Sequence, residues 1–510
     1  MVSKSSLKLN IITNYVSQLY VTGVGIFILP LYIKYMGAEA YGLVGFFAML
    51  QAWFAMLDLG LTPTIGRETA RYRGGSMSAL AYRQLLRALS LIFFTIAILG
   101  GSSLWLFSKQ ISSNWLTVEK LSLTEVQFAV EVMAVSVALR WLCGLYRGIV
   151  TGSEKLVWLS IFNIFIATMR FVAVFVSMWL YGYTPKVFFV HQLIVAVMEL
   201  TGLWLMGVQL IPKKQCVEGR IGWSFRPVKP VLRFALTIAF TSSVWVLVTQ
   251  TDKLILSGIL PLDQYGYFTL AVLVASGIMF VSGPVSNAVM PRMARLQAEN
   301  KFDELIGVYR NCTQLVGIIA GSAAIVTFFC AEPLLLLWTG DRTLVHNAAP
   351  ILKLYVIGNG MLALSAFPYY LQYALGNLRY HLIGNAVMVC ILIPSVVYAA
   401  KHYGGVGAGW VWVAVNAFYL FFWASFVHFK LAKIIVFKWM LKDTMQILFG
   451  SSICAFALVS IFPFSVEMSY LQTFIYLFLF SLIVVFFSIL MSSSARSVIF
   501  NRFMRKNNEQ

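Results

Sequence analysis

Charged residues are scarce in this chain of 510 residues, where aspartate, glutamate, lysine and arginine together make up 11%. Soluble globular proteins carry about 25% charged residues, so the composition excludes an ordinary soluble architecture. Hydrophobic residues make up 60% of the chain instead, and the mean hydropathy is +0.82. The segments between the apolar stretches are short, which leaves no room for a soluble catalytic domain.

Acidic residues are the scarcer of the two charged classes, with 19 against 38 lysines and arginines, so the net charge is +19. The basic residues lie in short segments between apolar stretches and do not form one basic face. This distribution is typical of cytoplasmic loops beside an anionic membrane leaflet. We therefore expect membrane lipids, and no nucleic acid, among the partners.

Cysteine is also rare, with six residues, no C-x-x-C spacing and no accompanying histidine cluster. The sequence thus predicts neither a metal site nor a bound cofactor. A phosphate-binding G-x-x-x-x-G-K loop, an H-E-x-x-H motif and a nucleophile elbow are missing as well. We expect a protein that is not an enzyme.

Apolar stretches long enough to cross a bilayer recur along the whole chain. A hydrocarbon core takes about 20 residues of helix. Fourteen such spans are predicted, at residues 11–33, 41–63, 85–107, 126–150, 156–181, 187–211, 234–259, 265–290, 313–337, 350–375, 381–401, 406–429, 445–463 and 469–491.

The lysines and arginines predict the orientation of these spans. With a cytoplasmic N-terminus, every second loop is cytoplasmic, and those loops hold most of the 38 basic residues. The first apolar stretch is too long for a cleaved signal peptide and is expected to be retained as a span. Both termini are therefore predicted to be cytoplasmic in a multi-pass membrane protein.

Short matches recur at one fixed offset of 224 residues (265 − 41), and they define an internal repeat. The matches are Tyr41-Gly42 with Tyr265-Gly266, Ala70-Arg71 with Ala294-Arg295, Tyr146 with Tyr370, and Gly152 with Gly376. The offset relates spans 1–6 to spans 7–12, and an even number of spans gives both halves the same orientation. We predict a six-helix lobe at 1–211, a cytoplasmic linker at 212–233, a second six-helix lobe at 234–430, and two extra helices with a cytoplasmic tail at 431–510.

Several motifs in this order resemble one family, the Wzx-type polysaccharide flippases of the MATE/MOP transporter superfamily. They lie at the end of span 2 and at three turns between spans. The segments are Leu57-Asp58-Leu59-Gly60-Leu61 followed by Arg67 and Arg71, Thr251 to Gly258 followed by Tyr265-Gly266-Tyr267-Phe268, Pro30 with Met36-Gly37 and Tyr41-Gly42-Leu43, and Gly404 to Ala408.

The resemblance implies an all-α, MATE-like membrane bundle of about fourteen helices, with two pseudo-symmetric lobes and two extra C-terminal helices. It also implies a flippase that moves an undecaprenyl-pyrophosphate-linked oligosaccharide repeat unit across the bacterial cytoplasmic membrane by alternating access. The expected partners are the anionic lipid-linked glycan and the polymerase and chain-length proteins of the same pathway. Coupling to Na⁺ or H⁺ is an open alternative to uncoupled transport.

Five basic residues inside or near the spans are candidates for binding an anionic substrate. A charge at mid-bilayer costs about 2.5–3.5 kcal/mol on insertion scales, so it usually faces a protein interior or a cavity. Arg140 and Arg170 lie near the middle of spans 4 and 5, and Arg147 lies about two turns after Arg140 on the same face. Guanidinium groups bind phosphate oxygens bidentately. Lys253 and Lys353 complete the set, although Lys353 is close enough to the interface to extend into water.

Three further residues are candidates for binding a coupling ion. Asp252 could hold a cation, and its side chain points about 100° away from that of Lys253, so we expect no tight pair between them. His191 and Glu199 are eight residues apart on span 6, broadly on one face, and could relay a proton. A buried histidine that is simply hydrogen-bonded is the alternative.

The end of span 2 and the equivalent segment of the second repeat supply candidate structural or gating residues. Asp58 is expected to cap the following chain or to pair with Arg67 or Arg71. Gly60 and Arg295 complete this set.

Two other functions remain open from the sequence. One is a cation-coupled exporter of small molecules with the same fold, and the other is a membrane-embedded polymerase or glycosyltransferase. Asn10, just before span 1, and Asn14 and Gln18 within it are polar, but there is no carboxylate, whereas proton-driven drug exporters of the same superfamily place an aspartate there. This difference and the basic candidates favour an anionic lipid over a cationic drug.

Overall fold

The computed structural model describes residues 4–58, 60–213, 222, 228–432, 436–465 and 468–497. Within these ranges the chain is helical and forms no β-strand. Most of the predicted linker 212–233, and the tail beyond residue 497, lie outside the described residues.

The helices follow the predicted spans in order, and we number them accordingly. In the first half they are α1 (Lys4–Phe27, continued by Leu29–Met36), α2 (Ala38–Met56, continued by Leu61–Arg73), α3 (Ala79–Leu106), α4 (Leu123–Gly152), α5 (Leu156–Tyr181) and α6 (Pro185–Leu210). They continue with α7 (Lys229–Ser257), α8 (Leu262–Ala298), α9 (Phe302–Phe329), α10 (Arg342–Ala374), α11 and α12 (the two arms of Arg379–Leu431), α13 (Val436–Ile461) and α14 (Tyr470–Met491).

Two helices are interrupted by a break that affects the number of membrane spans. Ten of the described helices are long and apolar enough to cross a membrane, and α2 makes eleven if its two parts, bent by 53°, form one span. The long helix Arg379–Leu431 departs from helical geometry at Gly404, where φ is +58° and ψ is −144°. That break divides it into two arms, which match predicted spans 11 and 12. The all-α membrane fold is thus confirmed.

The chain forms two compact units, Met1–Gly266 and Tyr267–Gln510. Helix α7 therefore packs with the first unit, where it contacts α2. The lobe boundaries predicted at residues 211 and 234 stay a prediction.

Helix α4 is the central helix of the first unit and packs against α2, α3, α5 and α6. Gly144, Gly148 and Gly152 recur every fourth residue along the face that meets α2. A Cβ atom on Gly148 would lie 2.8 Å from the carbonyl oxygen of Thr62. Small residues at this spacing let two membrane helices approach closely, and the approach fixes the height of the α4 side chains relative to α2.

The repeat is visible as a reciprocal contact between the starts of α2 and α8. A Cβ atom on Gly266 would meet the carbonyl oxygen of Ala38, and one on Gly42 would meet the carbonyl oxygen of Leu262. Ala38 and Leu262 differ by 224 positions, as do Gly42 and Gly266. Each turn thus uses the same two positions to contact the other turn, and such a reciprocal contact is produced by a two-fold axis. The two turns are therefore related by a local pseudo-two-fold axis.

The segment between α3 and α4 packs onto these same turns. The Glu39 carboxylate, at the start of α2, accepts hydrogen bonds from the backbone N–H groups of Glu119, Lys120 and Leu121 at 2.7 to 3.1 Å. The N–H of Leu262 donates to the carbonyl oxygen of Thr117 at 3.0 Å. By the predicted orientation, this packing lies on the exterior side.

In the second unit, α13 and α14 are attached to α9 by a buried polar network. Arg310 pairs with Asp443 through two bonds of 2.6 and 3.0 Å, and the Gln314 amide donates to the same carboxylate at 2.6 Å. Asp443 is fully buried. Here one guanidinium meets one carboxylate, so the ion pair is balanced in charge.

Candidate functional site

Helix α4 carries the first two arginines of the site on the face covered by its neighbours. Arg140 donates from Nη1 to the Gln51 side-chain oxygen of α2 at 2.7 Å, and from Nη2 to the Gln192 side-chain oxygen of α6 at 2.8 Å. The guanidinium also lies 5.1 Å from the centre of the Phe47 ring. Neutral groups therefore position Arg140 and leave its positive charge uncompensated.

Glu199 of α6 bridges the other two arginines. Arg147 donates to its Oε1 at 2.9 Å, and Arg170 of α5 donates to its Oε2 at 3.0 Å. Arg147 also donates to the Asn163 side-chain oxygen at 3.0 Å. A single carboxylate thus holds guanidinium groups from two helices.

A widened turn in α5 positions Arg170. Residues Thr168–Ala173 form a π-helical turn, an irregularity that is frequent at functional sites. Two carbonyl groups of this turn accept hydrogen bonds from α6. The Arg170 carbonyl accepts from the Gln192 amide at 3.0 Å, and the Met169 carbonyl is bonded by the His191 ring at 2.9 Å. Gln192 therefore contacts both Arg140 and the backbone of Arg170, and it links the two positions.

Arg147, Arg170 and Glu199 border a cavity of about 300 Å³ that α1 closes on one side, and we call it the α5–α6 cavity. Arg140 is not among the residues that line it. Its lining is markedly polar for a membrane span. It comprises Asn14, Ser17, Gln18, Val21 and Thr22 of α1, Arg147 of α4, Asn163, Ile166, Ala167, Arg170 and Phe171 of α5, and Glu199 of α6.

The formal charges at the site do not balance. We call Arg140, Arg147 and Arg170 the arginine cluster. Within the described part of the chain, the carboxylate paired with this cluster is that of Glu199, so three positive charges and one negative charge leave +2. Excess charge at membrane depth is costly unless an anion or water compensates it. The Glu199 carboxylate neutralises one of the three guanidinium charges. The site is therefore suited to an anion with two negative charges, which would neutralise the remaining two.

The two candidate lysines lie elsewhere and have other partners. Lys353 pairs with Glu332 at 2.7 Å in the second unit, on a partly exposed surface. Lys253 of α7 lies 3.8 Å from the Asp252 carboxylate. This separation is longer than a hydrogen bond, so the two groups form no tight pair, as the 100° between their Cβ directions predicts. The Lys253 ammonium donates to the Thr249 carbonyl instead.

The proposed proton relay residues separate into two different contacts. His191 bonds Ser177 at 2.8 Å and the Met169 carbonyl at 2.9 Å, both on α5. Glu199 bonds arginines, as described above. A role for Asp252, His191 or Glu199 in ion coupling stays a prediction.

The candidate gating residues have local structural contacts. The Asp58 carboxylate accepts hydrogen bonds from the backbone N–H and the hydroxyl of Thr62, at 3.1 and 2.6 Å, so it caps the second part of α2. Gly60 has a φ of +70°, which favours glycine at this bend. Two candidate arginines pair locally, Arg71 with Glu68 at 2.9 Å and Arg295 with Glu299 at 3.4 Å. Arg67 lies one turn before Arg71 on the second part of α2.

Sequence reasoning missed the three amides that hold the arginines, Gln51, Asn163 and Gln192. Each lies inside a predicted span, where an amide without a partner costs free energy. The amides could have been found from the sequence on this ground, because an amide in an apolar span needs a polar neighbour. The balanced pair of Arg310 and Asp443 was missed as well, since both residues lie just outside the predicted spans 313–337 and 445–463, where charges are expected.

The fold is that of a known class of membrane transporters. The structure of lipid II flippase MurJ in an inward closed conformation superimposes with a TM-score of 0.72 at 13% identity, covering 97% of this chain and 99% of that one. An inward-facing MATE family multidrug resistance transporter of the MOP superfamily gives 0.66 at 13% identity, covering 82% of this chain and 96% of that one. The class is thus a polytopic membrane protein of the MOP superfamily fold, here with a cationic cavity.

The sequence comparisons identify the family within that class. The model of the polysaccharide biosynthesis protein family matches residues 7–297, more than half of the chain, so this protein belongs to that family. A Shigella flexneri protein assigned as an O-antigen transporter is 20% identical over 381 residues, covering 74% of this chain and 87% of that protein. The resemblance to Wzx-type members of the superfamily is thereby confirmed.

Proposed function

We propose that this protein flips an undecaprenyl-pyrophosphate-linked oligosaccharide repeat unit across the bacterial cytoplasmic membrane, for surface polysaccharide synthesis. The observation that carries the proposal is the charge excess of +2 at the arginine cluster, inside a transporter fold. The family and the described role of the Shigella relative support a polysaccharide pathway. The similarity of the fold to that of the lipid II flippase MurJ supports a lipid-linked cargo.

The cluster suits a diphosphate better than a cationic drug. A cation that entered the α5–α6 cavity would meet Arg147 and Arg170, whereas a diphosphate would find guanidinium donors already positioned by amides. Guanidinium binds phosphate oxygens through paired N–H donors in a fixed fork, which a lysine ammonium does not reproduce. The polar walls supplied by Asn14, Gln18 and Asn163 offer hydrogen bonds to hydroxyl groups of a sugar.

Transport would proceed by alternating access between the two repeat halves, with both termini in the cytoplasm. The cavity of about 300 Å³ is smaller than an oligosaccharide, so it would hold the diphosphate and the adjoining sugar. We assign no coupling ion to this cycle. Polymerase and chain-length proteins of the same pathway would receive the flipped repeat unit.

Substitutions in the cluster test this function. In a strain that lacks the gene and carries each variant on a plasmid, Arg140→Ala and Arg170→Ala should abolish surface glycan and accumulate lipid-linked repeat units inside the cell. Arg140→Lys should restore export only in part, since a point charge lacks the bidentate fork. Arg342→Ala, which removes an exposed guanidinium at the first residue of α10, is the matched control and should export normally.

The expression level of each variant in the membrane is measured beside export. If Arg140→Ala and Arg170→Ala reach the membrane and export glycan at the wild-type level, the proposal of a cationic substrate site fails. If surface glycan is normal but drug resistance is lost, the function is that of an exporter instead.

A further inference from the structure

Glu199 occupies the position at the arginine cluster that an anionic ligand would take. Its two oxygens accept from guanidinium groups on two different helices, at 2.9 Å from Arg147 and 3.0 Å from Arg170. Bridging two arginines through separate oxygens is also how a phosphate group binds them. The carboxylate is 9% exposed, whereas the side chains of Arg147 and Arg170 are 33% and 25% exposed. The arginines therefore keep an accessible side in a cavity that Glu199 also lines.

A phosphate that entered this cavity would compete with the carboxylate for the same donors. Arg147 has a second partner in Asn163, so it stays positioned when the carboxylate loses its bond. Arg140 does not bond Glu199 and is held independently by Gln51 and Gln192. Glu199 belongs to α6 and cannot leave the site. It stays within reach of the guanidinium groups and can reclaim them when the phosphate moves away.

We propose that Glu199 is an internal competing anion that weakens the binding of the phosphate and so permits its release after translocation. This proposal rests on the proposed function and specifies how the same site discharges its cargo. A transport site must bind strongly enough to be entered and weakly enough to be left. A cluster of three arginines without a carboxylate would hold a diphosphate too tightly for rapid turnover.

Glu199 is thus a positioning residue whose removal should have opposite effects on binding and on transport. Glu199→Gln keeps the shape and one acceptor oxygen but raises the formal charge of the site from +2 to +3. We expect this variant to bind an isoprenyl diphosphate about tenfold more tightly than the wild type, equivalent to about 1.4 kcal/mol. It should nevertheless export surface glycan more slowly.

The binding experiment uses the purified full-length protein in detergent with farnesyl diphosphate as the probe and farnesol as the uncharged comparison. Titration calorimetry gives the Kd for the wild type, Glu199→Gln and the control Glu131→Gln. Glu131 is a carboxylate of α4 that bonds Gln127 and Ser108, away from the cluster. We expect tighter diphosphate binding in Glu199→Gln alone, and equal farnesol binding in all three proteins.

Two outcomes separate this inference from the proposed function. If the wild type binds the diphosphate, Arg140→Ala abolishes that binding and Glu199→Gln leaves the Kd unchanged or raises it, the competing-anion role is refuted and the cationic site stands. If the wild type binds farnesyl diphosphate no better than farnesol, the proposed anion site itself is refuted.

Glu199→Asp covers the case in which Glu199→Gln does not fold. It keeps the charge but withdraws the carboxylate by one methylene, so it should compete less well and bind the diphosphate more tightly than the wild type, by a smaller factor. Unchanged or weaker binding by a folded Glu199→Asp protein would then overturn the proposal.

Discussion

The two halves of the repeat carry cavities that overlap in position and differ in chemistry. Between α11 and α12, a cavity of about 260 Å³ is lined mainly by apolar and aromatic groups such as Met388, Val415 and Trp423. It shares three equivalent lining positions with the α5–α6 cavity, since Ile391, Ser395 and Trp423 correspond to Ala167, Phe171 and Glu199. With the offset of 224, Arg140, Arg147, Arg170 and Glu199 correspond to Leu364, Leu371, Pro394 and Trp423.

This difference separates the features that both halves share from the charged residues found in the first half. The turns at Gly42 and Gly266 occur in both halves, so the helical scaffold uses them twice. The arginine cluster occurs in the first half alone, and Leu364 and Leu371 are fully buried at the equivalent positions. An apolar core serves the same helices in the second half, so this helical arrangement can form without charges at these positions. The proposal that the charges of the first half bind an anion accounts for the difference.

The largest expected effect on export comes from replacing an arginine of the first half by the residue at the equivalent position of the second half. Arg147→Leu copies Leu371 and removes one of the two partners of Glu199, and it should lower glycan export about a hundredfold because a charge-assisted contact with the cargo is lost. Leu371→Ala is the reciprocal test, and it should cost about 2–5 kcal/mol of stability through the cavity that it leaves.

Export assays and thermal unfolding of the purified proteins check both variants. The comparison predicts an export defect at near-normal stability for Arg147→Leu, and reduced stability with a proportionate loss of export for Leu371→Ala. If Arg147→Leu and Leu371→Ala lost the same amount of export and the same amount of stability, the two positions would not differ in role.

The balanced ion pair of the second unit should respond differently from the unbalanced cluster of the first. Asp443→Ala leaves Arg310 without its carboxylate and should destabilise the protein by about 3–5 kcal/mol, since a partly buried charge loses its partner. Replacing both residues, as Arg310→Met with Asp443→Leu, should recover most of that stability and of export, because apolar groups often replace a buried pair without loss.

Thermal unfolding and export of the single and double variants measure this recovery. The equivalent double change in the first unit, Arg147→Met with Glu199→Leu, should not restore export. Recovery there would mean that the arginine cluster is structural like the Arg310 pair.

The smallest effect is expected at the reciprocal contact between the two turns. In Gly42→Ala, the new Cβ would clash with the backbone carbonyl oxygen of Leu262, which cannot rotate away, so the overpacking should cost about 3 kcal/mol, the upper end of the usual range. Gly23→Ala on α1 is the control, because a Cβ atom there meets nothing within 4 Å. The melting temperature of Gly42→Ala should fall below that of Gly23→Ala. Equal melting temperatures would show that the turns are not packed together in the membrane.

The helical spans and the repeat could be predicted from the sequence because they depend on local properties. A window of about 20 apolar residues must be helical in a bilayer, whatever surrounds it. The offset between Tyr41-Gly42 and Tyr265-Gly266 needs no knowledge of packing. Arg140 and Arg170 were found for the same reason, since a charge inside an apolar span is conspicuous in the sequence.

Their partners were decided by the tertiary structure. Glu199 is 52 residues from Arg147 and 29 from Arg170, and Gln51 is 89 residues from Arg140. The rotation and height of each helix bring these side chains together, and they depend on close packing such as that of Gly148 against α2. The sequence by itself determined that buried positive charge exists in the first half of this protein. The packing of α2, α4, α5 and α6 decided that one carboxylate bridges Arg147 and Arg170 while two amides hold Arg140, because which side chains meet depends on contacts between helices that no local pattern encodes.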